Sequence, residues 1–530
     1  MSDETLRDET LGDGDRDADG GGRRPRSRRA GPPGVRLSAV LPGARFIACD
    51  DIVASGCCDN PERCGPGDVF VARLTARGDG HDHVARAIAR GAAGVVAERM
   101  LPTFGRPLCI VPEGTGPLAR IAHALAGDPA RRLRVIAVTG TSGKTTTAWL
   151  AASVLAEAGL RVGVLSDLGC LDADGAEPVP ANLARPKVLA SWLRRLVDGG
   201  CTHAVVEVSS AMLAADCLAG IACDTVVVTN LASAHLDIHG TPAAYRRVKA
   251  RILDSLAADG CLVIDADDPR ARRLARRHAR SRPADAATAV VTTALRARAD
   301  IAATPVERGL AGQTFLVRTG GHAVPVAVAT PVASFARDAL LATAVGRREG
   351  VPLERIARGI EAAGTVPGRV ERIDRGQDHA VFVDHPTSRH ALVATLAGLR
   401  RLTPGRLVVL AESRVAARLA ADGASAAGAA AAAGAFERCV LDRADECAVV
   451  PDTLMHDSAS AADVLAYARI DRLLAGLGGT DCLLVLGDAR VRRHTPTDPG
   501  GEPMPLAAVV DGWLQLAHEP QPWGPARRVA

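Results

Sequence analysis

Lysine is scarce in this chain, and its positions are informative. Of 64 basic residues only Lys144, Lys187 and Lys249 are lysine, so arginine serves almost wherever a positive charge alone suffices. Lys144 stands in Val135 to Thr147, VIAVTGTSGKTTT, which reads as a short apolar strand, a Gly-rich turn and the start of a helix. That order suits a phosphate cradle. Gly140 and Gly143 let backbone N–H groups approach phosphate oxygens, Lys144 reaches the terminal phosphates, and the Thr145 or Thr146 hydroxyl can sit on Mg²⁺. A guanidinium fork does not imitate the compact charge that such a lysine supplies. The strict pattern has glycine where Val138 stands, so the motif alone leaves a chance GKT loop open; the strand before it and the helix after it argue against that.

Further along, HAVVEVSS, DTVVVTN and GCLVIDADDP each give an apolar run ending in polar residues, separated by helical stretches. This is the rhythm of a mainly parallel sheet with crossover helices, whose ligands sit at the carboxyl ends of strands. Glu207 to Ser210, Thr229 with Asn230, and Asp267 with Asp268 fall there. Beyond them His235, Asp237 and His239 are expected on a loop before a helix on which Tyr245 and Lys249, four apart, share a face. One such histidine alone would be an ordinary core or surface residue; several polar groups beside a cradle point to metal and phosphate chemistry.

These groups must be held by a large α/β scaffold. At 530 residues the chain suggests about three domains. Residues 1–34 are charged, Gly-rich and nearly free of large apolar side chains, the composition of a disordered tail. From Val35 to about residue 130 comes a small α/β unit: GPGDVFVA gives turn and strand, HDHVARAIARGA a helix closed by Gly91, AGVVAE the next strand. Residues 131–368 carry the cradle, and 369–530 continue in strand and helix patterns. A net charge of +4 with arginines spread among acids offers no strip for nucleic acid. No stretch reaches the ~18 apolar residues of a membrane span, and a cytoplasmic monomer is the expectation. The thirteen cysteines lack paired CxxC spacing and read as reduced structural thiols.

Taken in order, TGTSGKTT, EVSS, TNL followed by HLDIHG, YRRVK, DADDP and VPGRVE resemble the motifs of the Mur ligase family, of the MurE type that adds the third amino acid of the peptidoglycan stem peptide. The N-terminal DN…PGDVFVA…DGHDHVARAIARGA resembles its uridine-nucleotide domain, so the likeness covers roughly residues 35 to 400. It implies an α/β fold of three domains: an N-terminal uridine-nucleotide unit, a central P-loop ATPase with a mainly parallel sheet, and a Rossmann-like last domain. It also implies ATP and Mg²⁺ as cofactors, with a UDP-N-acetylmuramoyl peptide and an amino acid as substrates. By the resemblance Gly140, Thr141, Ser142, Gly143, Lys144, Thr145, Thr146, Asn230, Arg369 and Asp384 hold nucleotide. Thr145, Glu207, His235 and Lys249, the last as its carbamate, hold metal. Lys144, Lys249 and His235 serve catalysis, while Asn60, Pro186, Ser209 and Ser210 meet substrate. A lysine amine can lose its proton and add CO₂, which a guanidinium effectively cannot.

Departures from the family pattern begin in the substrate region. Its Thr-Thr-Pro loop stands as Ala184-Arg185-Pro186, with Lys187 where an acid is usual; Ala211 replaces a histidine and Ala234 an acid. DYAHTPD becomes Asp384 to His390, DHPTSRH. In the last domain the Gly-rich, Arg-Asp turn is replaced by an Ala-rich helical run broken by glycines, the Asn-Pro-Arg motif is missing, and GKGHE survives only as Leu486-Gly487-Asp488-Ala489-Arg490. Two readings therefore stand at this point: an ATP-dependent amide ligase working through an acyl phosphate, and a non-ligating paralogue that binds nucleotide or cell-wall precursor. The balance of motifs leads us to expect ATP binding with weak or absent diamino-acid ligation. Folylpolyglutamate synthase shares the ATPase core but not the N-terminal unit.

Overall fold

A computed structural model of the protein describes residues 34–75, 78–114, 116–172, 175–177, 183–234, 236–281, 288–421, 429–451, 453–454, 461–487 and 504–518. The N-terminal tail lies outside them. Among the described residues an eleven-stranded sheet dominates. Its middle is parallel and runs Val162–Ser166, His203–Glu207, Arg134–Thr139, Cys223–Val228, Leu256–Asp265, Ala289–Ala294 and Ile301–Gly309.

Arg134–Thr139 lies inside the parallel part, flanked by His203–Glu207 and Cys223–Val228. Alternate side chains therefore enter two different cores. Ile136 and Val138 pack with Leu150, Val154, Leu340 and Ile356 on one face; Val135 and Ala137 pack with Leu189, Leu193, Met212 and Ile252 on the other. A strand covered on both faces has to be apolar throughout, which is why VIAVT carries no charge.

Antiparallel strands extend the sheet at both margins: Gly169–Asp172 and Gly175–Glu177 on one, Gly312–Thr319 and His322–Val328 on the other. Two five-stranded sheets complete the main scaffold. The N-terminal one has the order Arg45–Ile47, Leu108–Ile110, Gly94–Ala97, Asp68–Val71, Gly56–Cys58. The C-terminal one has the order Glu371–Ile373, Ala380–Asp384, Cys482–Leu486, Leu407–Glu412, Glu446–Val450. The N- and C-terminal segments thus belong to separate sheets. The C-terminal sheet is docked on the central one: Phe382, Leu392, Leu396 and Val409 share an apolar cluster with Val332, Val366 and Val370 and with the cradle's own core.

Two local expectations are corrected. Cys58 and Cys64 form a disulfide rather than staying reduced, because the 3₁₀ turn Pro61–Arg63 folds the chain back and brings their Cα atoms to 5.7 Å. The remaining cysteines carry free thiols, most of them buried. The expected loop before the Lys249 helix instead contains the one-turn helix Leu236–His239. The Ala-rich run does form helix at Ser413–Ala421 and Ala429–Leu441.

The cradle helix Lys144–Glu157 is pinned by Leu353–Ala362, where Gly359 allows backbone to approach backbone. A Cβ there would meet the Val154 Cα at 2.6 Å. Ala is favoured over Gly in a helix by about 1 kcal/mol, but a clash with backbone cannot relax by rotamer change and overpacking costs about 1–3 kcal/mol. Gly359→Ala is therefore expected to lower the thermal midpoint in calorimetry; an unchanged or raised midpoint would show that this contact is loose.

Candidate active site

Strand Arg134–Thr139 ends at Gly140, and the turn that follows carries the chain into helix Lys144–Glu157. Two glycines make the turn possible. Gly140 has φ +154° and a Cβ on it would collide with the Thr229 hydroxyl; Gly143, the helix N-cap, has φ +81° and its Cβ would collide with the Asp338 carboxyl. Neighbouring strand Cys223–Val228 supplies the scaffold for the turn. The Asn230 backbone carbonyl accepts from Thr141 N at 3.0 Å and its Oδ1 from Ser142 N at 3.2 Å. The Thr229 hydroxyl donates to the Ser142 carbonyl at 2.6 Å, and Asn230 Nδ2 to the same carbonyl at 3.1 Å. The turn is thus fixed before any ligand arrives.

Beneath it three ionisable side chains converge. Lys144 Nζ lies 3.8 Å from Glu207 Oε1 and 3.5 Å from the Thr141 carbonyl. Glu207 is 4% exposed; its Oε2 accepts from Asp167 N at 3.1 Å, while Oε1 has no hydrogen-bond partner. Burial, reinforced by Asp167, raises its pKa above the ordinary carboxyl value, with Lys144 opposing. Lys249 is 2% exposed, lies 5.7 Å from the Tyr245 ring centroid and donates to the Thr139 hydroxyl at 3.1 Å. Burial first, and the Lys144 charge second, hold its amine well below the ordinary lysine value. A lysine kept toward its neutral form is a nucleophile rather than a counter-ion.

The cavity above the turn, of ≈ 280 Å³, is walled by both domains. From the central domain come Asp265, Asp267 and Asp268 at the end of strand Leu256–Asp265, with Arg337 and Asp338 on helix Ala333–Arg348. Desolvation pushes Asp265 up to about 6 and moves Asp338 well above the usual carboxyl range. From the last domain come Arg369, Asp384 and His390. Arg369 donates to the Thr145 hydroxyl at 3.0 Å and to the His385 carbonyl at 2.9 Å. Asp384 accepts from the Thr395 hydroxyl at 3.0 Å and from Val370 N at 3.3 Å, and burial raises its pKa.

Of the residues singled out from sequence, Gly143, Lys144, Thr145, Thr146, Ser142, Asn230, Arg369 and Asp384 line this cavity, with Gly140 and Thr141 in the turn behind it and Glu207 and Lys249 packed around Lys144. His235 lies outside the described residues, as do Asp488 to Arg490. Ser209 caps helix Ser210–Ala214 through its hydroxyl, just beyond the Glu207 strand, and Ser210 is buried. Pro186 starts helix Pro186–Asp198. Asn60 sits apart, just beyond strand Gly56–Cys58 of the N-terminal sheet, where its Oδ1 caps the turn Pro61–Arg63 by accepting from Glu62 N at 2.9 Å. Sequence reading missed Thr139, Arg337, Asp338 and His390 as site groups. Asp338 did leave a faint signal, since with Arg337 it forms a charged pair inside the mostly apolar run FARDALLATAV.

Comparison with known proteins shows the family to which the chain belongs. Residues 138–346 match the Mur ligase middle domain. The chain is 33% identical over 390 residues, 71% of its own length and 76% of the relative's, to the UDP-N-acetylmuramoyl-L-alanyl-D-glutamate–2,6-diaminopimelate ligase of Chlorobaculum tepidum. It is 35% identical to a UDP-N-acetylmuramyl-tripeptide synthetase of a Roseiflexus species, over 66% of this chain and 73% of that one. A solved structure of a UDP-N-acetylmuramoyl-L-alanyl-D-glutamate–2,6-diaminopimelate ligase superposes with a TM-score of 0.64 at 21% identity, covering 91% of this chain and 99% of the other. What the chain shares with that solved structure is the fold, a three-domain α/β chain with large, mainly parallel sheets. The protein belongs to the Mur ligase family.

Because Gly143 combines a left-handed backbone with contact against Asp338, Gly143→Ala is expected to distort the turn and weaken nucleotide binding about tenfold or more, at a strain of about 1–3 kcal/mol. Calorimetric titration with ATP checks this; equal affinity for variant and wild type would show that the turn does not need glycine there.

Proposed function

We propose that the chain is an ATP-dependent ligase that joins an amino acid to the D-glutamyl carboxylate of UDP-N-acetylmuramoyl-L-alanyl-D-glutamate through an acyl phosphate, in peptidoglycan precursor synthesis. The observation that carries the reading is the buried convergence of Lys144, Glu207 and Lys249 under a preformed phosphate cradle. The names of the relatives at 33% and 35% identity support the substrate class. They also favour ligation over the non-ligating alternative, despite the altered last-domain motifs.

In this reading the cradle amides and Lys144 bind the phosphates of ATP, and Arg369 closes the site from the last domain. The carboxylate attacks the γ-phosphorus, ADP leaves, and the incoming amine attacks the acyl carbon and expels phosphate. Placing both reactants against one cradle supplies the proximity that such a transfer needs, worth up to ~7–11 kcal/mol. Mg²⁺ fits the residues present, since Glu207 Oε1 is buried without a hydrogen-bond partner. Glu207, the Thr145 hydroxyl and a Lys249 carbamate, with His235, would hold metal that neutralises phosphate charge. The boundaries at about residues 130 and 368, the substrate roles of Asn60, Pro186, Ser209 and Ser210, a monomeric state and a cytoplasmic setting belong to the same proposal. No helix among the described residues is long and apolar enough to cross a membrane.

Supplying UDP-N-acetylmuramoyl-dipeptide, ATP, Mg²⁺ and either meso-diaminopimelate or lysine, with mass spectrometry of the products, tests it. Tripeptide is expected from the wild type and none from Lys144→Ala, which should also lose ATP binding. ATP binding without product from either amino acid would overturn the ligase reading; equal ATP affinity for Lys144→Ala would overturn the cradle.

A further inference from the structure

The last domain reaches the cradle turn through Arg369, which donates to the Thr145 hydroxyl at 3.0 Å, and through His390, whose Nδ1 lies 3.3 Å from Ser142 Oγ. His390 is in the first turn of helix Arg389–Arg400, but it is not what caps that helix. The N-cap is Ser388, whose hydroxyl accepts from Ala391 N at 3.2 Å. Nor does the turn need His390 for its shape, because Asn230 and Thr229 already fix Ser142 through its backbone. A partly exposed imidazole that serves neither helix nor turn, yet lines the nucleotide cavity and contacts the cradle, is free for a ligand.

The charges around it explain what changes on binding. Partial burial of the ring comes first in holding His390 below the ordinary histidine value; Asp268 opposes this, while Arg337 and Arg270 add to it. The positive end of its own helix acts in the same direction as the arginines. Phosphates entering the cradle bring negative charge beside Ser142, and an anion at this distance favours the imidazolium.

We propose that His390 is a further group through which the last domain holds the nucleotide's polyphosphate, exchanging the Ser142 hydroxyl for a phosphate oxygen and taking up one proton from solvent as it does so. The inference rests on the ATP reading above and adds a binding residue and a pH dependence to it. The sign follows from the two states. The free imidazole is neutral at neutral pH and the bound one is charged, so affinity is greatest at low pH and falls as pH rises through the value of the complex.

Calorimetry of ATP binding with excess Mg²⁺, in buffers of different ionisation enthalpy, measures proton uptake directly. Wild type is expected to take up more protons than His390→Gln at about pH 7, and to lose about threefold to tenfold more affinity than His390→Gln between about pH 6 and about pH 8. His390→Arg, which keeps a charge at every pH, should bind ATP tightly at about pH 8 with no uptake beyond that of His390→Gln. ATP bound with the same proton uptake and the same pH dependence in wild type and His390→Gln would overturn the inference and leave the ATP reading standing. Failure of wild type to bind ATP would overturn both.

Discussion

Two amines and a carboxylate share one buried pocket under the cradle, and the rest of the site depends on how that is tolerated. Lys144, Lys249 and Glu207 are each less than a tenth exposed, and charges taken out of water cost several kcal/mol apiece unless paired or neutralised. The pocket answers in two ways. Lys144 and Glu207 face each other at 3.8 Å, while Lys249 moves toward its neutral form and satisfies its amine on Thr139. Thr139 can accept because its own proton goes to the Val208 carbonyl at 2.8 Å. A site with one unsatisfied carboxylate oxygen and one amine pushed by burial toward its neutral form is arranged for something positive and something electrophilic to enter.

The scaffold makes this arrangement affordable. The cradle strand sits inside the parallel part of the sheet with a core on each face, so the turn at its end is anchored by residues that directly follow the neighbouring strand. The apolar cluster that runs on into the C-terminal sheet brings Arg369, Asp384 and His390 to the same cavity. A nucleotide there would touch two domains at once, and its arrival would be felt by both.

Much of the fold was legible because its signals are local. Apolar runs ending in polar residues marked the strands that carry Glu207, Asn230 and Asp265, and strand, glycine turn and helix marked the cradle. The marginal antiparallel hairpins were harder, since Gly312–Thr319 alternates much as any half-exposed strand does. The reduced state expected for Cys58 and Cys64 failed because their approach depends on the turn at Asn60 and Pro61, not on spacing. Within the site, Lys144 and Lys249 were conspicuous through the scarcity of lysine. Asp338 and His390 were not, because each reaches the cradle from a helix about 200 residues or more further along the chain, and nothing in their neighbourhoods says which surface they will meet. His235 lies outside the described residues, so the full metal set rests on sequence.

The central claim is that burial makes Lys249 a nucleophilic amine rather than a cation. Carbon-13 NMR of the protein equilibrated with ¹³C-bicarbonate tests it most directly. The amine adds to the carbon of CO₂, a proton leaves nitrogen, and a carbamate forms. The account predicts one carbamate resonance in the wild type that is absent from Lys249→Arg. A wild-type spectrum without it, or the same resonance in Lys249→Arg, would contradict the account.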